Sequence, residues 1–145
     1  MREIRQVIVH CADTFAGMDI GFQEIDAWHK ARGFKSPTGV HCGYHYIIRR
    51  NGEIEKGRPP QEIGAHAKGH NRYSLGICLV GGKANDGSPE FNFTHQQMDT
   101  LYRLLVALNV EYPEVEVIGH RDVSDKACPS FDLKAWWESP NVRYG

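Results

Sequence analysis

The chain has 145 residues, 41% of them hydrophobic and 24% charged, which is typical of one soluble globular domain with a substantial core. Its formal net charge of -1 excludes the basic surface expected of a direct nucleic-acid binder. No apolar stretch approaches the roughly 20 residues that cross a bilayer, so membrane insertion is not expected. We therefore predict a single, monomeric domain over residues 1–145.

The N-terminal segment MREIRQVIVHCAD lacks the apolar core and the small-residue cleavage site of a secretory signal. We expect the protein to be made and folded in the cytoplasm of the producing cell, where its four cysteines would stay reduced. Cys11 and Cys78 are predicted to be small buried thiols. A target outside the membrane would require a separate means of release.

The first half of the chain predicts a strand, a helix and a hairpin. Residues 5–11 (RQVIVHC) are rich in β-branched side chains and favour a buried strand. Helical spacing over 22–31 predicts a helix that ends before Gly33. Residues 44–50 (YHYIIRR) favour a strand, and Asn51-Gly52 followed by EIEKG indicates a β-hairpin.

The second half alternates in the same way. Residues 74–80 (SLGICLV) predict a central strand. Thr94 is predicted to cap a helix with an apolar leucine face, and residues 116–119 (EVIG) form a short strand. Asp132 could cap a last short helix. The pattern predicts an α/β fold: one domain with a mixed central β-sheet flanked by helices.

Two of the eight histidines, His10 and His120, stand at the ends of short apolar strands. Functional groups in α/β sheets gather beyond the carboxyl ends of strands, although a buried structural histidine is an equal alternative for each. Cys128, in a loop before the last helix, adds a thiolate. Two imidazoles and one thiolate leave a fourth position for water, as in catalytic zinc sites. Three other histidines lie at positions more typical of surface or helix-end residues: His29, His70 and His95.

A second cluster, His41, Cys42 and His45, is a weaker metal-site candidate. His41 and Cys42 are adjacent in the sequence. On a strand, adjacent side chains point to opposite faces. We therefore favour the set that contains Cys128.

Nearly the whole chain resembles the T-odd coliphage lysozyme type of N-acetylmuramoyl-L-alanine amidases, in the superfamily of type 2 amidases and peptidoglycan recognition proteins. The resemblance implies that fold, and zinc-dependent cleavage of the amide bond between N-acetylmuramic acid and L-alanine in peptidoglycan by a phage-type endolysin. A bacterial recycling amidase is the alternative setting. The segments that carry the resemblance are VIVHCA from Val7, GYHYIIRRNG from Gly43, GAHAKGHN from Gly64, SLGICLVGG from Ser74, FNFTHQQM from Phe91 and KACPSFDLKAWW from Lys126.

The resemblance implies that Zn²⁺ is bound by His10, His120 and Cys128, and that Tyr44 and Lys126 are catalytic. From the residues alone, Tyr44 could be a core aromatic and Lys126 a solvated lysine. Zinc can lower the pKa of a bound water and polarise the carbonyl, and a lysine ammonium can stabilise the oxyanion. No HExxH motif supplies a glutamate base, so Tyr44 is our first candidate for the general base.

His66 and Lys68, in GAHAKG, are candidates for substrate binding, with Lys68 meeting a carboxylate of the stem peptide. The alternative is a turn shaped only by its glycines. The sequence departs from the family pattern at Arg121-Asp122, where the family type has a second histidine and an acid. That change leaves the ligand itself in place and is expected to affect the rim of the site.

Three rival functions differ from this prediction. A non-catalytic peptidoglycan-binding module would typically lack the cysteine ligand, so Cys128 favours the enzyme. A regulatory protein is the second rival, because a family member also inhibits its phage's RNA polymerase; kinship of fold does not transfer that interface. An α/β domain with a structural zinc is the third.

Overall fold

The computed structural model describes residues 2–139. They form a five-stranded sheet, a separate two-stranded sheet and three α-helices. None of the helices within residues 2–139 is both long and apolar enough to cross a membrane. The strands are β1 (Gln6–Cys11), β2 (Thr14–Phe15), β3 (Tyr46–Ile48), β4 (Ile54–Lys56), β5 (Ser74–Leu79), β6 (Gly82–Lys83) and β7 (Glu116–Gly119), and the helices are α1 (Phe22–Ala31), α2 (His95–Glu111) and α3 (Leu133–Glu138).

The main sheet has the strand order β4-β3-β5-β1-β7. β1 pairs in parallel with both β5 and β7, and β3 pairs in parallel with β5. Only the β3–β4 hairpin is antiparallel, and Gly52 in its turn has φ +88°, a conformation that favours glycine. The predicted mixed sheet with flanking helices, with residues 74–80 in its centre, is therefore confirmed.

The two faces of β1 and β5 are covered by different helices. Val7, Val9 and the alternate residues of β5 join the cluster that includes the leucines of α2. On the other face, Cys78 packs with Ile25 of α1. His10 is the register partner of Cys78, so its side chain lies on this α1 face of the sheet.

The helix ends follow the sequence signals. The Thr94 hydroxyl accepts the backbone N–H of Gln97 at 3.1 Å, and the Gln97 side chain accepts the backbone N–H of Thr94 at 3.0 Å, which is the predicted capping box. Asp132 accepts the backbone N–H of Ala135 and caps α3, as predicted. Gly33, with φ +86°, follows the end of α1.

Two features differ from the sequence expectation. The strand predicted over 44–50 is shorter, since β3 spans Tyr46–Ile48 and Arg49 already belongs to the hairpin turn, where its carbonyl accepts the N–H of Gly52. The β2–β6 pair was not predicted, since two-residue strands carry no periodic pattern.

Cys11 and Cys78 are buried and form no disulfide, which agrees with their predicted role as buried thiols.

Candidate active site

Two parallel strands bring His10 and His120 together. His10 lies near the end of β1, and His120 follows β7 directly as the first residue of a short 3-10 helix (His120–Asp122). Since Val9 of β1 is the register partner of Gly119 in β7, the two strands deliver their histidines to the same edge of the sheet. The centroids of the two imidazole rings are 4.3 Å apart.

Cys128 completes the group. Its sulfur and one ring nitrogen from each of His10 and His120 all lie within 4.8 Å of one another. Within residues 2–139, this is the one group of three or more histidine, cysteine or acidic side chains with a geometry that could hold a metal ion. We call these three residues the candidate metal centre.

The loop that carries Cys128 is fixed by backbone hydrogen bonds. The Cys128 sulfur accepts the backbone N–H of Cys11 at 2.9 Å, and the Cys128 carbonyl accepts the N–H of Arg121 at 2.7 Å. Asp122 accepts the N–H of Gly119 at 2.9 Å and holds the turn after β7. The residues Arg121-Asp122, which depart from the family pattern, thus contribute to the scaffold of the centre.

The electrostatics of the centre suit a divalent cation. Burial lowers the pKa of His10 well below its usual value, and burial with the Lys126 charge lowers the pKa of His120, so both imidazoles are neutral at pH 7. A hydrogen bond with the Cys11 thiol, and then burial, raise the pKa of Cys128. Two neutral imidazoles and a thiol that loses its proton to the metal fit the chemistry of a zinc site.

A cleft of about 600 Å³ opens over the candidate metal centre, and Tyr44 and Lys126 both line it. The Tyr44 ring is 5.2 Å from that of His10, between centroids. Burial raises the pKa of Tyr44 well above its usual value, so its hydroxyl stays protonated and can donate a hydrogen bond. Lys126 is exposed, and its positive charge contributes to lowering the pKa of both histidines.

The structure separates the two candidate substrate-binding residues. His66 lines the cleft and lies against His10, with His10 Nε2 and His66 Nδ1 2.8 Å apart. Lys68 is exposed and is not among the residues that line the cleft. A role for Lys68 in meeting the stem peptide stays a prediction.

The second histidine-cysteine cluster has structural partners instead. His41 Nδ1 lies 2.7 Å from the carbonyl oxygen of Phe34, and His45 Nε2 lies 2.8 Å from that of Glu62. Cys42 is fully buried. These three residues do not form a group with metal-binding geometry in the described part of the chain.

His29 lies in the last turn of α1, as expected of a helix-end residue, but it is buried and is not a surface residue. It is 7% exposed, lines the cleft, and accepts the backbone N–H of Gly43 on Nδ1 at 2.8 Å. Its ring centroid is 5.5 Å from that of Tyr44. The available signal was its position four residues after Ile25, on the same buried face of α1.

Arg32 and Phe34 extend the same wall and were also missed. Both line the cleft, and the Arg32 guanidinium carbon lies 4.9 Å from the centre of the Phe34 ring. The two residues stand just after α1, where sequence periodicity gives no information about direction. Only the packing of the loop onto the sheet places them at the cleft.

Comparison with known proteins agrees with this architecture. The family model for N-acetylmuramoyl-L-alanine amidase matches residues 1–131. The chain is 50% identical over 137 residues to an endolysin of Klebsiella phage KP32, covering 94% of this chain and 87% of that protein. It is 46% identical over 132 residues to an endolysin of Escherichia phage T7, covering 91% and 84%.

Among solved structures, the amidase LysC from Clostridium intestinale URNW superposes with a TM-score of 0.75 at 30% identity, covering 91% of this chain and 80% of that one. The match to the family model extends over most of the chain and includes every strand of the main sheet. The chain belongs to the N-acetylmuramoyl-L-alanine amidase family.

Proposed function

We propose that this protein is a zinc-dependent hydrolase that cleaves the amide bond between N-acetylmuramic acid and L-alanine in bacterial peptidoglycan. The observation that carries the proposal is the convergence of His10, His120 and Cys128 within 4.8 Å at the base of a cleft. Three protein ligands leave a coordination position open, which distinguishes catalytic from structural zinc sites. Family membership supports the amidase activity itself.

The cleft supplies the groups that amide hydrolysis requires. A zinc ion held by the three ligands would activate water and polarise the scissile carbonyl. The ammonium of Lys126 lies on the wall of the same cleft and stabilises the negative charge that develops on the carbonyl oxygen. Tyr44, whose raised pKa keeps its hydroxyl protonated, serves as a hydrogen-bond donor to that oxygen better than as a general base.

The acidic residues argue against cleavage of the glycan. Glycoside hydrolases of the common type flank the scissile bond with two carboxyl groups. Among the described residues that line the cleft, Asp13 alone carries a carboxylate. The cleft is therefore suited to an amide substrate and poorly suited to muramidase chemistry.

The similarity to phage endolysins supports a role in cell-wall degradation during release of phage from the host. In that setting the enzyme would remain in the cytoplasm of the producing cell until the membrane is opened. A non-catalytic recognition role is disfavoured by the presence of the complete ligand set. Inhibition of an RNA polymerase, and a monomeric state, stay predictions.

Digestion of purified peptidoglycan tests the proposal. We expect new N-terminal alanine to appear without new reducing sugar ends, because an amidase leaves the glycan strands whole. A chelator should abolish the release, and added Zn²⁺ should restore it. New reducing ends, or release that continues at full rate in the chelator, would contradict the proposed reaction.

A further inference from the structure

His66 links the candidate metal centre to the interior of the sheet. Its Nδ1 lies 2.8 Å from Nε2 of His10, and its Nε2 lies 3.2 Å from the hydroxyl oxygen of Ser74, the first residue of β5. Ser74 is fully buried. A continuous series of side-chain contacts therefore connects the buried Ser74, through His66, to His10 of the candidate metal centre.

The His66 ring lies in a space that is open because two neighbouring backbone positions are glycines. A β-carbon built on Gly76, in the middle of β5, would lie 2.7 Å from the ring carbons Cγ and Cδ2 of His66. A β-carbon on Gly64 would also lie 2.7 Å from Cδ2. Real β-carbons do not approach so closely, so the two glycines permit this position of the ring.

The loop backbone is fixed as well. The side-chain oxygen of Asn71 accepts the backbone N–H groups of both His66 and Ala67, each at 2.9 Å. With its backbone held by Asn71 and its ring held between two glycines, His66 has little freedom to turn away from His10. This rigidity is what a group that orients a metal ligand requires.

We propose that His66 is a positioning residue that sets the tautomer of His10, so that His10 binds the metal through Nδ1. This inference rests on the zinc site of the proposed function. Nε2 of His10 is occupied by the contact with His66. If His66 donated in that contact, the proton of neutral His10 would lie on Nδ1, and neither nitrogen would be free for a metal.

Metal binding therefore requires the opposite direction for each hydrogen bond. His10 donates from Nε2 to Nδ1 of His66, and His66 donates from Nε2 to the hydroxyl of Ser74. Nδ1 of His10 then carries a lone pair that is free to face the metal. The role differs from the substrate contact expected from the sequence, because His66 acts through His10.

Zinc affinity tests the positioning role. We expect His66→Leu, which removes the acceptor, to weaken zinc binding by about 10- to 100-fold in a competition titration with a chromophoric chelator. His66→Asn, which places an amide oxygen near the position of Nδ1, should recover most of that loss. His95→Leu is the matched control, because His95 is exposed at the start of α2 and does not line the cleft. It should change the affinity by less than about twofold.

Circular dichroism establishes whether each variant is folded. A folded His66→Leu protein that binds zinc as tightly as the wild type would overturn the proposal. A loss of thermal stability in that variant with an unchanged zinc dissociation constant would identify His66 as merely structural and would equally overturn it.

Nuclear magnetic resonance of the wild type decides the same point without a variant. In protein labelled with ¹⁵N-histidine and loaded with ¹¹³Cd, we expect scalar coupling of cadmium to Nδ1 of His10, with Nε2 of His10 protonated. Coupling to Nε2 of His10 would refute the assignment while leaving the metal site intact. No coupling of His10 to the metal at all would instead contradict the zinc site of the proposed function, and this inference with it.

Discussion

The sulfur of Cys128 accepts a hydrogen bond from the backbone nitrogen of Cys11 at 2.9 Å, across 117 positions of the chain. Cys11 directly follows His10, so this contact holds the thiol against the strand that carries another ligand of the candidate metal centre. This hydrogen bond fixes the loop of Cys128 against β1. The protein's own contacts therefore bring the residues of the candidate metal centre together.

Replacement of Cys128 tests the ligand set. Cys128→Ser should lower bound zinc from about one ion per chain to a small fraction after dialysis, because a hydroxyl is a far poorer zinc ligand than a thiolate. The measurement is the metal content by mass spectrometry. Cys42→Ala is the control, since this buried thiol lies in a separate cluster with Ile25 and should retain zinc. Full zinc content in Cys128→Ser would remove Cys128 from the site.

Proton release on zinc binding tests the protonation states. The hydrogen bond between the two thiols raises the pKa of Cys128 and lowers that of Cys11 to about 7, so below pH 7 both thiols are protonated and Cys128 must lose a proton to the metal. His10 and His120, with lowered pKa values, bind as neutral imidazoles. We expect release of up to about one proton per zinc near pH 7, approaching one as the pH falls below 7, and weaker binding at the lower pH. Calorimetry in buffers of different ionisation enthalpy measures this number. Release of no proton would contradict the assignment of a thiol ligand.

Removal of the Lys126 ammonium tests oxyanion stabilisation. Lys126→Ala should retain zinc and lower turnover of purified peptidoglycan by a factor on the order of 100 or more, the usual cost of losing an oxyanion donor. Lys30→Ala is the matched control, because Lys30 is exposed on α1 and does not line the cleft. Near-normal turnover by zinc-loaded Lys126→Ala would exclude Lys126 from the mechanism.

The hydroxyl of Tyr44 is tested by removing that group alone. Tyr44→Phe keeps the ring that packs 5.2 Å from His10 and 5.5 Å from His29, so folding and zinc content should be preserved. We expect kcat to fall by roughly 100-fold, as for other single donors to a developing oxyanion. If the hydroxyl only packs in the core, the variant will turn over peptidoglycan at the wild-type rate.

Stability should fall in mild acid because buried histidines are neutral in the folded state. The pKa values of His29 and His45 are lowered from 6.5 to about 4, chiefly by burial, whereas the unfolded chain takes up protons near 6.5. The free energy of unfolding should therefore be highest above about pH 6.5 and decline as the pH falls towards about 4. Urea titrations at pH 7, 6 and 5 measure the decline. His45→Gln should be less stable at pH 7 and less dependent on pH, and a flat profile in the wild type would contradict the argument.

Local patterns were sufficient to predict most of the fold. The Thr94 capping box, the Asn51-Gly52 hairpin and the apolar run of 74–80 each depend on residues close together in the chain, and each is present in the structure. The strand predicted over 44–50 was too long, since β3 ends at Ile48 and Arg49 already belongs to the hairpin turn. Propensity alone does not predict where a strand leaves its sheet.

The ligand set of His10, His120 and Cys128 was available from the sequence, through strand-end histidines and the family resemblance, and the tertiary structure brings these residues together. The sequence did not predict the contact between His66 and His10. It also did not predict the cleft wall formed by His29, Arg32 and Phe34. The chain by itself determined which residue types could hold a metal and which local elements would carry them. The tertiary structure decided which other side chains surround these residues. The directions of side chains at the cleft depend on the register of parallel strands and on glycines that leave room for neighbouring rings, and both features bring together residues distant in sequence.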